Sequence, residues 1–295
     1  MTRVGRVVLL ILLACAATSA QTAHYVHPKL LIETQDLAAI ASNPDVRVLD
    51  VRLPHEYRAG HLPGAVNLPA PATDDLDANR HGFPIYPERA QELFRAAGVN
   101  NASRVVVYDN QGNRFAARLF YVLEFFGHHQ VQVLNGGIRK WFAEGRPLTT
   151  EVPSIPPGDF TPKPNSTLLV TSQWVEQHLK DQKVRLVDAR SPAEYSGQWM
   201  MVGAHAGHIP GAVDIEWTRM ITPGEISSFL DAPALAKIFT EAGVTRNETV
   251  VTYCMTGMCA SEVYFALRLL GYDHVRMYDG SWQDWSSIPH VSAQK

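Results

Sequence analysis

Residues 46–52 read VRVLDVR, and residues 184–190 read VRLVDAR. Each stretch is a short apolar run, rich in Val and Leu, that ends in an Asp-x-Arg element. Runs of this length and composition are typical of buried strands in a parallel sheet, which is apolar on both faces. Two copies of one strand motif, 138 residues apart, indicate that the chain contains a duplicated α/β unit.

Further matched blocks follow this motif in the same order in both copies. They are GHLPGAV at 60–66 with GHIPGAV at 207–213, AGV at 97–99 with 242–244, VVVY at 105–108 with VVTY at 250–253, and NGG at 135–137 with DGS at 279–281. The offset grows from 138 to about 144–147 residues. The second copy therefore carries an insertion of about nine residues, which we place at 196–206. Because several blocks match and occur in the same order, we interpret the chain as a duplication of one unit.

A proline-rich stretch divides the two copies. Residues 151–164, EVPSIPPGDFTPKP, contain five prolines and no periodic apolar pattern, which predicts an extended linker. We place domain one at 25–150 and domain two at 165–291. Apolar residues spaced i, i+3, i+4 and i+7 from Val263 to Leu270 predict an amphipathic helix. Strands that alternate with helices favour a compact three-layer α/β domain in each copy.

Composition excludes several classes of protein. The 295 residues include 26 Lys+Arg and 29 Asp+Glu, a net charge of −3, which disfavours a nucleic-acid binder. Three cysteines are too few for a disulfide scaffold or a four-cysteine zinc site. The adjacent His128 and His129 cannot both face one ion from a regular strand. We predict no metal, no cofactor and no nucleic-acid partner, and we take the chain to be a monomer.

The amino terminus has the pattern of a targeting segment. Residues 1–20 contain a basic start with Arg3 and Arg6, an apolar run, and small residues up to Ala20. This pattern predicts a signal peptide and an exported, periplasmic protein, and the apolar run is too short to span a membrane. The sequence LLAC that ends at Cys15 resembles a lipoprotein cleavage box, which would place a lipid anchor on Cys15. Both interpretations stay open.

The two copies differ at the position that matters for chemistry. Strand 250–253 is followed by the sequence CMTGMCA, which starts at Cys254, and the matching position in copy one is Asp109. The carboxyl end of a parallel strand is the usual place for a site in such sheets. Backbone amides in a tight strand-to-helix loop converge on anions, and they would stabilise a thiolate nucleophile. We predict that Cys254 is catalytic and that copy one is silent. The residues predicted to bind the substrate are Met255, Thr256, Gly257, Met258, Cys259 and Ala260.

Together these motifs resemble the tandem-domain rhodanese family of sulfurtransferases, over nearly the whole length after residue 20. The resemblance is carried by the paired His-x-Pro-Gly-Ala and Asp-x-Arg elements, the Cys-x-x-Gly loop and the Tyr-Asp-Gly-Ser-Trp element. It implies two rhodanese-like three-layer α/β domains with parallel sheets, the active one at the carboxyl end. It also implies that Cys254 accepts a sulfane sulfur from a small-molecule donor as a persulfide. A thiophilic acceptor, such as cyanide or a thiol, then takes that sulfur.

The residues of the active loop bear on the identity of the sulfur donor. Relatives that prefer thiosulfate tend to carry basic residues in the active loop, whereas Met255, Thr256 and Met258 are neutral here. The mercaptopyruvate-type relatives have a Ser at the place of Thr256, and an arginine used by some relatives maps to Glu194. The resemblance as a whole leans to the thiosulfate type. Thiosulfate is therefore the predicted donor, with mercaptopyruvate as the alternative.

The residues around Cys254 bear on three other functions. A disulfide between Cys254 and Cys259 would give a redox-gated thiol protein, against the simpler interpretation that Cys259 is a small apolar residue at the helix start. A phosphatase is disfavoured because no arginine lies between Cys254 and Arg268 to bind phosphate. A binding module without activity is disfavoured by the presence of Cys254.

The remaining motif residues divide into structural and site candidates. Residues that match in both copies are predicted to be structural, and they are Asp50, Arg52, His61, Asp188, Arg190 and His208. Asp74, Asp75 and His81 belong to a loop that relatives place against the active site. Trp285 has a counterpart in copy one and is predicted to lie in the core, whereas Trp282 has none and is a candidate for the pocket wall.

Overall fold

The computed structural model describes residues 25–75, 84–200 and 205–295. The predicted signal peptide, Cys15 and His81 lie outside the described residues. In the described part of the chain, no helix is both long and apolar enough to cross a membrane. The described residues form two α/β units, each built on a parallel sheet.

The first unit contains a five-stranded sheet in the order β1-β5-β4-β2-β3, with every neighbouring pair parallel. Its strands are β1 (Leu31–Ile32), β2 (Val46–Asp50), β3 (Val66–Asn67), β4 (Arg104–Tyr108) and β5 (Val131–Leu134). Its helices are α1 (Thr34–Ile40), α2 (Pro54–Ala59), α3 (Pro87–Ala96), α4 (Arg114–Phe125) and α5 (Gly137–Ala143).

The second unit repeats this arrangement with a four-stranded parallel sheet in the order β7-β6-β8-β9. Its strands are β6 (Val184–Asp188), β7 (Val213–Asp214), β8 (Thr249–Tyr253) and β9 (Val275–Met277). Its helices are α6 (Ser172–His178), α7 (Pro192–Tyr195), α8 (Ala232–Glu241), α9 (Ala260–Leu269) and α10 (Ser281–Ser287). The fold class predicted from the sequence is confirmed.

The Asp-x-Arg elements are buried ion pairs, as predicted. Arg190 contacts Asp188 at 2.6 Å and donates a second hydrogen bond to the carbonyl of Gly207 at 2.8 Å. In copy one, Arg52 contacts Asp50 at 2.5 Å and the carbonyl of Gly60 at 2.7 Å. Each guanidinium thereby fixes the turn that follows the first helix after the strand. The equivalence of Gly60 and Gly207 confirms that the second copy is longer between these points.

The histidines of the His-x-Pro-Gly-Ala turns are structural, as predicted. His61 stacks on Tyr57 and His208 stacks on Tyr195, each with ring centroids 3.7 Å apart. The Nδ1 atom of each ring also meets the main-chain carbonyl of the same tyrosine, at 2.9 Å and 2.8 Å. Trp285 is buried in a core cluster of domain two, which confirms its predicted place.

The amphipathic helix predicted around residues 263–270 is wrong in one respect: α9 is buried on all sides. Residues 260–267 and Leu269 are all buried. The reason is that α4 of the other domain covers the face that would otherwise meet solvent. Phe120 of α4 and Phe265 of α9 form an edge-to-face pair at 4.8 Å, and one hydrophobic core runs through both units.

The linker lies along domain one. Residues 151–164 are all described and form neither helix nor strand. The Gly158 amide donates to the carbonyl of Arg95 at 2.8 Å, and the Phe160 amide donates to the carbonyl of Val99 at 3.1 Å. A Cβ at Gly158 would meet the Val99 oxygen at 2.0 Å, so only glycine permits this approach.

Candidate active site

Cys254 follows β8 directly and opens a six-residue loop that leads into α9. β8 is an inner strand of its sheet, between β6 and β9. The loop therefore lies at the carboxyl end of a central parallel strand, where α/β sheets commonly place their sites. Cys254 is only 2% exposed, and Cys259 at the other end of the loop is partly exposed.

The sulfur of Cys254 lies where several hydrogen-bond donors converge. Burial by itself would raise the pKa of Cys254. Hydrogen bonds from the Cys259 side chain and from the backbone N–H groups of Ala260, Thr256 and Cys259 outweigh burial and lower the pKa to about 6. Such a cysteine is a thiolate at neutral pH, and the thiolate is the reactive form. Of the six residues predicted to bind substrate, Thr256, Cys259 and Ala260 therefore face the sulfur through their amides.

The silent copy holds an anion in the corresponding place. Both oxygens of the Asp109 carboxylate accept backbone N–H groups of the loop that follows β4. The donors are Gln111 at 2.9 Å, Asn113 at 3.0 Å, Phe115 at 2.8 Å and Ala116 at 3.1 Å. Burial raises the pKa of Asp109, and these hydrogen bonds act against that rise.

The two loops can be compared residue by residue. Gln111 and Phe115 lie two and six positions after Asp109, just as Thr256 and Ala260 lie two and six positions after Cys254. Both pairs donate to the acidic side chain that opens their loop. In copy one, carboxylate oxygens fill the space among the amides. In copy two, the corresponding amides face the Cys254 sulfur instead.

Ser281 fixes the backbone of Cys254, a role that the sequence did not reveal. The Cys254 amide donates to Ser281 Oγ at 3.1 Å, and that hydroxyl donates to the carbonyl of Tyr278 at 3.0 Å. Ser281 has φ +56, in the left-handed region that non-glycine residues seldom adopt. Its counterpart in copy one is Gly137, at φ +55. Ser281 therefore adopts an unfavourable backbone conformation in which its hydroxyl accepts the Cys254 N–H and orients the nucleophile.

Gly257 connects the active loop to domain one. It has φ +86, and a Cβ there would lie 2.0 Å from Asp279 Oδ1. The Asp279 carboxylate is held by the fully buried Arg118 of α4, with contacts of 2.5 Å and 3.0 Å. Arg118 also binds Asp74 at 2.9 Å. A salt bridge across the domain interface therefore supports the loop, and Asp74 acts through Arg118.

Two ionisable residues at the interface, Arg114 and Glu262, lie close enough to Cys259 to act on its pKa. Arg114 opens α4 and stacks over Phe115 and Trp217, at 4.7 Å and 5.3 Å from the ring centroids. Glu262 lies in the first turn of α9, fully buried, and among the described residues its carboxyl oxygens have no hydrogen-bond partner. Burial, with Asp109 nearby, raises the pKa of Glu262 well above its usual range, and Arg114 opposes this rise.

The other predicted site residues have packing roles. Met255 packs against one hydrophobic cluster of domain two, and Met258 packs against the core that both domains share. Trp282 is buried beneath Arg190, whose guanidinium lies 4.5 Å from the ring centroid, and its Nε1 donates to the carbonyl of His205. Its side chain therefore belongs to the core. Asp75 is buried at the end of the segment before residue 76.

A large cleft adjoins the silent loop. It has a volume of about 880 Å³ and lies between the loop after β4 and residues 217–227 of domain two. Arg114, Arg139 and Trp217 are among the residues that line it. Within the described residues, no group of three or more His, Cys, Asp or Glu side chains is arranged to hold a metal ion.

Comparison with known proteins points in one direction. The sequence profile of the Rhodanese-like domain matches residues 33–144 and 171–288. The chain is 37% identical to the sulfur carrier protein TtuD of Thermus thermophilus, over 92% of this chain and 98% of that protein. It is 31% identical to a thiosulfate sulfurtransferase of Pseudomonas aeruginosa, over 90% of this chain and 97% of that protein.

A solved structure shares the fold. SseA of Escherichia coli, a 3-mercaptopyruvate sulfotransferase with the rhodanese fold, superposes with a TM-score of 0.77 and 28% sequence identity. The superposition covers 86% of this chain and 98% of SseA. The arrangement of two units therefore extends over nearly the whole of that protein.

Replacing Gly257 tests whether the loop depends on close contact with Asp279. Gly257→Ala should lose about 1–2 kcal/mol for the left-handed backbone and a further 1–3 kcal/mol or so for the clash. Gly243→Ala is the matched control, because Gly243 has φ +70 but nothing described within 4 Å of its Cβ position. Thermal unfolding of both variants measures the difference. Equal losses in the two variants would contradict the proposed contact.

The ionisation of Cys254 gives a second test. With a pKa of about 6, the Cys254 thiolate should form as pH rises through 6 and be lost as pH falls through that value. The ultraviolet thiolate absorbance, measured against Cys254→Ser as blank, reports this titration. Cys259→Ala should move the midpoint upward, because it removes the side-chain hydrogen bond to the thiolate. A wild-type midpoint at the ordinary cysteine value of about 8.5 would show that the converging donors do not lower the pKa of Cys254.

Proposed function

The chain belongs to the rhodanese family, and on that premise we propose that it is a sulfurtransferase whose nucleophile is Cys254. The observation that carries the proposal is the convergence of the Ala260, Thr256 and Cys259 amides on the Cys254 sulfur. Fixed donors aimed at a developing negative charge stabilise it without reorganisation. The silent copy supports the same reading, since Asp109 keeps a carboxylate in the matching place.

The proposed cycle is a double displacement. The Cys254 thiolate attacks the outer sulfur of the donor, the sulfur–sulfur bond of the donor breaks, and sulfite leaves with the electron pair when the donor is thiosulfate. The resulting persulfide carries its negative charge on the outer sulfur, among the loop amides. A thiophilic acceptor attacks that outer sulfur, and Cys254 leaves as the thiolate. No cofactor takes part in these steps.

Thiosulfate is the donor that we propose, because proteins named thiosulfate sulfurtransferase are among the relatives that match along nearly their whole length. The active loop itself carries no basic side chain. Arg114 of domain one lies close enough to Cys259 to act on its pKa, so it supplies positive charge beside the loop. Mercaptopyruvate is the alternative donor, supported by the likeness to SseA.

A phosphatase role lacks a suitable cation in domain two. Arg268, the first arginine after Cys254, binds Glu124 at 2.8 Å and lies at the far end of α9. Because Arg268 forms an ion pair with domain one, it cannot donate the paired hydrogen bonds that would bind a phosphate at the loop.

We also propose that the protein is exported to the periplasm and acts there as a monomer. The support is the sequence of residues 1–20, with its basic start, apolar run and small residues. A lipid anchor at Cys15 is the alternative to release as a free protein.

Steady-state formation of thiocyanate from thiosulfate and cyanide tests the proposed function. Cys254→Ser should lower the rate by more than about 1000-fold, because the nucleophile is gone while binding remains. The serine hydroxyl accepts the same amides, so the variant should keep its circular dichroism spectrum and unfolding midpoint. Activity that survives in a folded Cys254→Ser chain would eliminate Cys254 as the nucleophile. Wild-type activity with mercaptopyruvate alone would select the alternative donor.

A further inference from the structure

Cys259 is in contact with the nucleophile, not merely near it. The two cysteines are the first residue after β8 and the residue before α9, and the loop between them contains Gly257 in a left-handed conformation. Both the side chain and the backbone N–H of Cys259 hydrogen-bond to the Cys254 sulfur. The thiols are free of any disulfide. A disulfide requires the two α-carbons to approach within about 7 Å, which a loop of six residues can meet when it is curled.

Apart from its contact with Cys254, Cys259 packs with its side chain at the edge of the core that both domains share. It occupies the N-cap position of α9, but its side chain makes no capping hydrogen bond there. It is partly exposed, so a small polar residue would serve equally well as a helix start. The silent copy has Arg114 at the matching position, which shows that the fold does not require a thiol.

The groups around Cys259 keep its proton in place. They are Cys254, Glu262 and Arg114. The hydrogen bond to Cys254, burial, and the charge of Cys254 raise the pKa of Cys259 far above its usual value, and Arg114 opposes this only in part. The pair of cysteines therefore carries one negative charge, which resides on Cys254, and one proton, which resides on Cys259. Cys259 carries the proton that a departing sulfur needs.

Transfer of sulfur to Cys254 changes this balance. The negative charge moves from the inner sulfur, which is the Cys254 atom that Cys259 contacts, to the outer sulfur of the persulfide. The inner sulfur becomes a neutral member of a sulfur–sulfur bond and is open to attack by a thiolate, while the charged outer sulfur can accept the proton that the attacking thiol gives up. The nearest thiol is Cys259.

We propose that Cys259 resolves the Cys254 persulfide within the chain, so that the protein releases hydrogen sulfide and is left with a Cys254–Cys259 disulfide. This inference rests on the proposed function. It adds a second activity, reductive release of the bound sulfur, to transfer of that sulfur onto an external acceptor. Acceptors such as cyanide compete with Cys259 for the same persulfide.

The step balances in atoms and electrons. The proton of Cys259 first moves to the negatively charged outer sulfur of the persulfide, which leaves Cys259 as a thiolate. The Cys259 thiolate then attacks the Cys254 sulfur, the new disulfide bond forms, and the bond to the outer sulfur breaks. The outer sulfur leaves with the electron pair and the transferred proton, so it departs as hydrosulfide. The two cysteines are oxidised by two electrons, and the sulfane sulfur is reduced to sulfide. A dithiol reductant from outside the chain returns both cysteines to thiols by disulfide exchange.

Single-turnover analysis without an acceptor tests this step. The reduced full chain carries Cys15→Ser, so that Cys254 and Cys259 are its only thiols. After removal of reductant it is mixed with excess thiosulfate under anaerobic conditions, and sulfite, sulfide and cysteine state are measured. We expect about one equivalent each of sulfite and sulfide per chain, with a Cys254–Cys259 disulfide found by peptide mapping. Yields per chain should not change with protein concentration.

Cys259→Ser and Cys259→Ala are the decisive variants, and two are used in case one of them misfolds. Each should yield about one equivalent of sulfite, less than about a tenth of an equivalent of sulfide, and a persulfide that persists on Cys254. A wild-type persulfide that persists without sulfide would overturn the inference, as would equal sulfide from the variants. Absence of sulfite from every chain would instead show that the proposed function itself has failed.

Discussion

One constraint acts in both domains of this protein: in the loop between a parallel strand and the helix that follows it, backbone N–H groups converge on one point, where a single side chain lies. The donors belong to the main chain, so their positions are set by the fold and cost little to reorganise when charge arrives. Copy one fills the point with the Asp109 carboxylate, and copy two fills it with the Cys254 sulfur. The turn requires a left-handed residue, which is glycine in both loops, Gly112 at φ +74 and Gly257 at φ +86. The residue that these amides surround is a carboxylate in one copy and a thiolate in the other.

Domain one, although it lacks a nucleophile, supports the active site of domain two. Its helix α4 packs on α9 and buries the helix that starts at the active loop. Arg118 reaches across the interface to Asp279, against which Gly257 packs, so the loop is shaped partly from domain one. Removing one partner from this buried group of an arginine and two carboxylates would strongly destabilise the fold, because a buried charge would be left without a partner. Copy one thus lacks the cysteine but supports the active loop of copy two.

Local sequence patterns were sufficient to predict the strands, the duplication and the loop, because each leaves a mark within a few residues. The matched Asp-x-Arg elements also revealed their structural role, since both copies retain them. Contacts across the interface left no such mark. The periodicity around α9 predicted an exposed face that α4 covers, and Arg118 was indistinguishable from a surface arginine. Glu262 in an apolar helix was the one available signal of a buried charge. Ser281 was hidden because its copy-one counterpart is a glycine.

Peptide mass spectrometry of the Cys259→Ser chain, before and after thiosulfate, is the most direct test of the central claim that one copy alone carries the sulfur. This chain should gain the mass of one sulfur atom, confined to the peptide that contains Cys254, and cyanide should remove it. The silent loop around Asp109 should gain nothing. No added sulfur on a folded chain, or sulfur on any peptide other than that of Cys254, would contradict the claim.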